Sequence, residues 1–265
     1  MTCAGPPTVP APPSASSADR RASAREPVLA FLATTAVAAG LYWTSRGVPI
    51  LRDNLHAFIA VLFYYAPTVA SRYAGRPFDY REAGLTLRPL GVNAAVYAGA
   101  LALTVPLFAG AFLSFYDVIC AAPAHGLPAA LGRLCPGTWR GSWRDLSSAH
   151  LRLPPHFLLL AANQVVVVAL PEEVFFRGYL LQRLEARFPS RHRLAGAPVG
   201  TALLLSAVLF ALGHVLVDFN PQRLAVFFPA LIFGWMRART GSLAAGAAFH
   251  ASCNLLSEIL HTSFF

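Results

Sequence analysis

The sequence contains no lysine, and charged residues of all kinds make up only 12% of its 265 residues. Soluble globular domains carry about 25% charged residues, so this scarcity excludes an ordinary water-surrounded domain. All 21 basic residues are arginines, and they outnumber the 12 acidic residues to give a net charge of +9. The arginines lie mostly between apolar segments, whereas a nucleic-acid-binding protein concentrates them on one face. The composition therefore predicts an integral membrane protein with no nucleic-acid partner.

Cysteine is also scarce, and the four cysteines are scattered: Cys3, Cys120, Cys135 and Cys253. This number excludes a disulfide scaffold, and the sequence has no CxxC or Cys/His metal-binding spacing. Cys120 and Cys135 share one loop. They can pair if that loop faces an oxidising compartment, or they remain two free thiols, and the sequence leaves both states open.

The first 26 residues are rich in Pro, Ala and Ser and contain no apolar stretch, which predicts a disordered tail and not a signal peptide. The rest, 27–265, is predicted to be a single all-α domain, a polytopic transmembrane bundle of about seven or eight helices. Seven apolar runs support this fold: Pro27 to Ser45, Leu55 to Ser71, Val92 to Phe115, Pro155 to Leu184, Ala197 to Asp218, Leu224 to Met236, and Ser242 to Leu260. The sixth run is short and can be tilted, re-entrant or merged with its neighbour.

The distribution of arginine between these runs predicts the orientation. Thirteen arginines lie in the tail and in the loops on the same side, and seven lie on the opposite side. The positive-inside rule therefore places the N-terminus in the cytoplasm and the long third loop, Tyr116 to Pro154, on the outer face. We expect a multi-pass protein of the cytoplasmic (inner) membrane.

Ionisable side chains inside the apolar runs identify the candidate site, because each costs at least about 2.5 kcal/mol at the centre of a membrane helix. In VVVVALPEEVFFRGYLL, Glu173 and Arg177 are four residues apart, so they can pair on one helical face. Glu172 lies on a different face without a cation, which makes it a candidate general base. Pro171 interrupts the helical hydrogen bonds and is expected to open a water-accessible notch. The alternative is an interfacial helix end where both glutamates contact water.

Two histidine clusters follow. His214, in FALGH, lies near the outer end of the fifth run, and Asp218 is either its partner or a loop residue. In HASCN, His250 and Asn254 are one helical turn apart, so an imidazole and a carboxamide offer two donors to one point, as an oxyanion requires. The alternative for His214 is a core histidine that bonds to the backbone. The alternative for His250 and Asn254 is that they make interhelical hydrogen bonds. Small residues over 244–248 would let a neighbouring helix approach closely.

Three separate segments thus carry polar side chains, and a bundle that joins them would contain a base for water and donors for an oxyanion. The order EEVFFR, FALGH and HASCN resembles the CAAX-protease and bacteriocin-processing (CPBP, or Abi) family of intramembrane glutamic endopeptidases. The resemblance covers roughly Pro155 to Leu260, the predicted catalytic part, and the first three runs match only as generic membrane spans.

The resemblance implies four catalytic residues and two supporting ones: Glu172 and His214 to activate water, His250 and Asn254 as the oxyanion hole, and Glu173 with Arg177 to fix the geometry. One Glu and two His can hold zinc, but HExxH is absent and a zinc site would leave the asparagine unexplained. The sequence therefore predicts no metal and no other cofactor. The expected partners are the lipid bilayer and a membrane protein or peptide substrate.

Two other function classes remain. A catalytically silent scaffold or immunity-type protein would keep the fold without the reaction. An ion- or proton-coupled transporter would also bury Glu, His and Arg, but it usually shows inverted repeats or paired broken helices, and none are found. The arginine-only composition is typical of a GC-rich bacterial genome, which disfavours a prenylated substrate. Among the bacterial roles of the family, cleavage of a C-terminal sorting tag is preferred.

Overall fold

A computed structural model describes residues 17–140 and 151–265, and these residues form an all-α helical membrane bundle. The helices are α1 (Ser17–Ser45), α2 (Pro49–Asp53), α3 (Leu55–Tyr73), α4 (Leu90–Cys120), α5 (Phe157–Arg187), α6 (Thr201–Asp218), α7 (Phe227–Thr240) and α8 (Ala244–Phe264). Short 3-10 helices cover Ala122–His125, Ala129–Leu134 and Pro221–Val226. Two strands, β1 (His192–Leu194) and β2 (Ala197–Val199), form an antiparallel hairpin.

Each of the seven predicted runs contains a helix near its predicted position. Four of these helices are long and apolar enough to cross a membrane by length and composition: α1 from Arg25, α4, α5 and α6. α7 has only 14 residues and is about 21 Å long, which is shorter than the roughly 30 Å hydrocarbon core of a bilayer. The predicted helical membrane fold is confirmed, and the sixth run is short, as its sequence indicated.

Two predicted boundaries differ from the structure. α1 begins at Ser17, so the last ten residues of the predicted 1–26 tail are helical, and residues 1–16 lie outside the described residues. The fifth run does not start as a helix at Ala197, because Ala197 belongs to β2. Gly196 turns the hairpin with a φ of +81°, a conformation that glycine adopts without steric cost. The hairpin therefore replaces the first turn of the predicted helix.

The long third loop is fastened to the C-terminal end of α8. Cys120 and Cys135 form a disulfide, which decides between the two states that the sequence left open. After the disulfide, the Trp139 ring packs on Phe264 with ring centroids 5.6 Å apart, and the backbone N–H of Arg140 donates to the carbonyl of Phe264. Residues 141–150 of this loop lie outside the described residues. The contacts hold the end of the helix that carries His250 and Asn254.

α5 is the central helix of the bundle. Every residue of its stretch Val174–Leu181 is buried, so the apolar cluster around it forms on all sides of the helix. Pro171 has no N–H to donate to the preceding turn, and α5 has wide π-helical turns on both sides of it, at Gln164–Ala169 and Val174–Leu181. Such turns occur often at functional sites. They flank the two glutamates.

Candidate active site

Glu173 and Arg177 form the predicted ion pair inside α5. Arg177 Nη1 donates to Glu173 Oε1 over 2.8 Å, and both side chains are at most 1% exposed. The other terminal nitrogen of Arg177 donates to the Ala230 carbonyl over 3.2 Å. The guanidinium also lies over the rings of Phe210 and Phe233, at 4.3 and 4.9 Å from their centroids, positions that stabilise a cation. The charge of Arg177 is therefore neutralised in a closed apolar setting.

His250 connects this ion pair to Glu172. Its Nδ1 lies 3.2 Å from Glu173 Oε1, and its Nε2 lies 3.8 Å from Glu172 Oε2. The imidazole stacks on Phe233 with 4.7 Å between the ring centroids and an interplanar angle of 17°. α8 comes this close to Glu173 because Gly246 has no side chain: a Cβ there would lie 3.3 Å from Glu173 Oε2. The small residues predicted to permit close packing thus place His250.

Glu172 has a different environment from its neighbour. Its side chain is 13% exposed, and the residues near its Oε2 are His214 Nε2 at 3.9 Å and His250 Nε2 at 3.8 Å. Both distances exceed the length of a hydrogen bond. In the described part of the chain, Oε2 of Glu172 is buried and has no hydrogen-bond partner. Glu173 Oε2 is also buried without a partner, but Glu172 lines a cavity, so a water or substrate can lie between Glu172 and the imidazoles.

His214 is held by the backbone of its own helix. Its Nδ1 lies 2.9 Å from the Phe210 carbonyl, and because a carbonyl can only accept, Nδ1 carries the proton of this bond. Nε2 therefore faces Glu172. Asp218 is not its partner: it is the last residue of α6 and pairs with Arg223. Of the two roles that the sequence allowed for Asp218, the structure supports the one at the helix end.

Asn254 lies one turn beyond His250 and has a partner that the sequence analysis missed. Its Nδ2 donates to Gln164 Oε1 over 2.9 Å. Gln164 belongs to α5, eight residues before Glu172. It is one of the few polar residues in that apolar run, but a single amide is common in membrane helices and did not stand out. The structure brings Glu172, His214 and His250 into one cluster, and it places Asn254 beside Gln164.

A cavity of about 160 Å³ opens onto Glu172 and His214. Its walls come from α1, α3 and α6, and they include Thr35, Tyr42 and His56. A smaller cavity of about 30 Å³ lies between Pro171, Glu172 and His56. It exceeds the roughly 10–15 Å³ that a water molecule needs, and it lies at Pro171, where a water-accessible notch was expected. The sequence did not single out His56, because nothing in its spacing relates it to the other clusters.

Comparison with known proteins agrees with the motif order. Residues 154–256 match the family model described as type II CAAX prenyl endopeptidase Rce1-like. No curated protein and no solved structure matches the chain. The predicted resemblance to the CAAX-protease and bacteriocin-processing family is confirmed over this segment, which contains all six predicted site residues together with Gln164. The match points to a protease of the CAAX type.

Proposed function

We propose that this protein is an intramembrane, glutamate-dependent endopeptidase that cleaves a membrane-associated peptide or protein segment with an activated water. The observation that carries the proposal is that Glu172 and His214 line one cavity, while the unpartnered Oε2 of Glu172 lies 3.8 Å from His250 Nε2 and 3.9 Å from His214 Nε2. The family match over residues 154–256 supports a hydrolase.

Water activation follows from the two acceptors on the cavity side. Glu172 Oε2 is an acceptor, and Nε2 of a neutral His214 is one as well, because its Nδ1 carries the proton. A water between them donates one hydrogen to each and turns a lone pair toward a peptide carbonyl. Glu172 takes the proton as the bond to the carbonyl carbon forms. The low dielectric of the surroundings strengthens each of these interactions.

The tetrahedral intermediate carries a negative oxygen, and His250 and Asn254 are the donors assigned to it. His250 Nε2, when protonated, is directed toward the same point as Glu172. Asn254 Nδ2 has two hydrogens and gives one to Gln164, so one remains for the oxyanion. The proton held by Glu172 then passes to the leaving amine, and the C–N bond breaks to give a carboxylate and an amine.

The substrate enters from the membrane. The cavity of about 160 Å³ is smaller than the roughly 300–1,000 Å³ typical of small-molecule sites, so it can hold only a short part of an extended or unwound substrate. In the predicted orientation, the part of the cavity near Tyr42, Asp218 and Arg223 lies toward the outer face of the membrane. A C-terminal sorting tag remains the preferred substrate class.

The proposal is tested with the full chain reconstituted in lipid nanodiscs together with membrane-anchored test peptides. Mass spectrometry identifies new peptide termini in wild type and in Glu172→Gln. We expect cleavage by wild type and a decrease of about 10²–10⁴-fold in the variant, the usual contribution of a general base. Glu258→Gln makes the same charge change on the exposed side of α8 and should cleave normally. Cys253→Ala removes the thiol next to Asn254 and should also cleave. Equal cleavage by Glu172→Gln and wild type would refute the assignment.

A further inference from the structure

An open groove between α4 and α7 is separate from the catalytic cavity. Its volume is about 780 Å³, within the roughly 300–1,000 Å³ range of ligand pockets. Glycine, alanine, valine and leucine residues form the α4 wall, and Leu231, Ile232 and Trp235 form the α7 wall. One end of the groove is polar, because Arg239 and the turn of the β1–β2 hairpin line it. The groove therefore combines a long apolar channel with a cationic end.

The length of the groove matches one leaflet of a bilayer. Along α4 it runs from Gly91 to Leu103, and along α7 from Leu231 to Arg239. At 1.5 Å per residue these stretches are about 18 and 12 Å long, and half of the hydrocarbon core is about 15 Å. The polar end lies on the side of the arginine-rich loops. Trp235, one turn from Arg239, is at the depth where aromatic residues contact headgroups.

Two arginines converge on the hairpin turn at this polar end. Arg193 donates to the Gly196 carbonyl over 2.9 Å, and Arg239 lies against the same glycine, where a Cβ would come within 3.1 Å of its Nε. Trp235 Nε1 donates to the Leu194 carbonyl and fastens the hairpin to α7. Across 17–140 and 151–265, no carboxylate oxygen lies within 4 Å of either guanidinium. Two exposed cations thus stand together without an acidic partner.

A second apolar groove provides an internal contrast. It lies between α1 and α3, has a volume of about 630 Å³, and ends at Glu26 on the same side of the bundle. Glu26 is an acid and is already paired with Arg183, 3.5 Å away. The two grooves have similar apolar walls and opposite charges at their polar ends. Of these two grooves, the α4–α7 groove is the one whose polar end has cations without an acidic partner among the described residues.

We propose that the α4–α7 groove binds an anionic phospholipid. One acyl chain lies between α4 and α7, and the phosphate lies between Arg193 and Arg239. Basic pockets between membrane helices on the cytoplasmic side bind anionic headgroups in this way. The site is independent of the proteolytic site, because it shares no residue with the cavity at Glu172.

Native mass spectrometry of the full chain in detergent tests the site, with phosphatidylglycerol and phosphatidylcholine of identical chains as probes. We expect wild type to retain phosphatidylglycerol in preference to phosphatidylcholine. Each of Arg193→Gln and Arg239→Gln should weaken phosphatidylglycerol binding about fivefold, which corresponds to about 1 kcal/mol per arginine. Gly99→Leu fills the groove from α4, where the glycine has open space around it, and should weaken binding of the same lipid.

Two control variants test whether lipid binding is specific to the groove. Arg72→Gln removes an exposed arginine at the end of α3, and Gly40→Leu adds the same side chain to an open position on α1. Both should bind phosphatidylglycerol like wild type. Inorganic phosphate added in excess should not displace the lipid, because the acyl chain contributes to binding. Equal retention of the two lipids, or unchanged binding by both arginine variants, would overturn the proposal. Unchanged binding by Gly99→Leu, or displacement by phosphate, would overturn the acyl-chain assignment.

Discussion

Glu172 and Glu173 are adjacent in the sequence and have opposite environments. Glu173 is 1% exposed and bonds Arg177 at 2.8 Å and His250 at 3.2 Å. Glu172 is 13% exposed and lines a cavity, and among the described residues its Oε2 has no hydrogen-bond partner, with imidazole nitrogens at 3.8 and 3.9 Å. Because neighbouring helical residues point about 100° apart, one turn of α5 presents one carboxylate to the protein interior and the other to the cavity.

This difference gives Glu173 a structural role and Glu172 a chemical one. Glu173 is not placed to take a proton from water: its Oε1 is held by Arg177 and His250, and although its Oε2 has no hydrogen-bond partner, the residue lines neither of the cavities beside Glu172. A carboxylate with a free lone pair beside a cavity can accept one, but it contributes little to stability. The closed side of α5 therefore positions His250, and the open side provides the base. Variants of Glu173 should lower both stability and activity, whereas variants of Glu172 should lower activity alone.

The largest effect on stability is expected from Glu173→Gln. The change leaves Arg177 charged and without its partner in the interior, which costs about 3–5 kcal/mol. Thermal unfolding in detergent should show a lower melting temperature than wild type. Cleavage should fall as well, because His250 loses the oxygen that orients its Nδ1.

A double variant checks the cause of that loss. Glu173→Leu with Arg177→Leu removes both charges, and replacing a buried pair with apolar residues is often nearly neutral for stability. We expect the double variant to melt at a higher temperature than Glu173→Gln while remaining inactive. A melting temperature for Glu173→Gln equal to that of wild type would show that the pair does not support the fold.

A smaller effect, confined to activity, is expected from Asn254→Ala. Removing one oxyanion donor lowers kcat about 10²–10³-fold, and the side chain is only partly buried, so the fold should remain. The readouts are the cleavage rate and the melting temperature. A normal rate in a folded Asn254→Ala would remove this residue from the oxyanion hole.

The smallest effect is expected from Gln164, which acts through Asn254. Gln164→Met keeps the length of the side chain but removes the oxygen that accepts from Asn254 Nδ2. We expect kcat to fall about 10- to 100-fold, as for the loss of a supporting partner, with KM unchanged. Gln164→Glu keeps the accepting oxygen and should restore part of kcat. If both variants lower kcat equally, the hydrogen bond does not orient Asn254.

Local geometry made part of the site predictable. Glu173 and Arg177 are one turn apart on one helix, so their pairing follows from the spacing alone. The meeting of Glu172, His214 and His250 does not, because they come from three helices whose packing no spacing encodes. The expectation that they meet came from the order of the three motifs, which resembles that of a known family. Gln164 and His56 were missed for the same reason, since each becomes relevant only when another helix packs beside it.

The long helices, like the ion pair, were predictable from local sequence, whereas the β1–β2 hairpin was not. Runs of about 20 apolar residues can satisfy their backbone in lipid only as helices, so the positions of the long helices followed from composition. The hairpin before α6 was missed because its three-residue strands are too short for an alternating pattern. Gly196 and Pro198 were the available signals, and both are equally typical of a loop.

The most direct test of the account is the cleavage rate and the melting temperature of Glu172→Gln, measured on one preparation in nanodiscs. We expect cleavage to fall by about 10²–10⁴-fold while the melting temperature stays at the wild-type value. Undiminished cleavage would contradict the assignment of Glu172 as the base. A melting temperature as low as that of Glu173→Gln would contradict the division between the two glutamates.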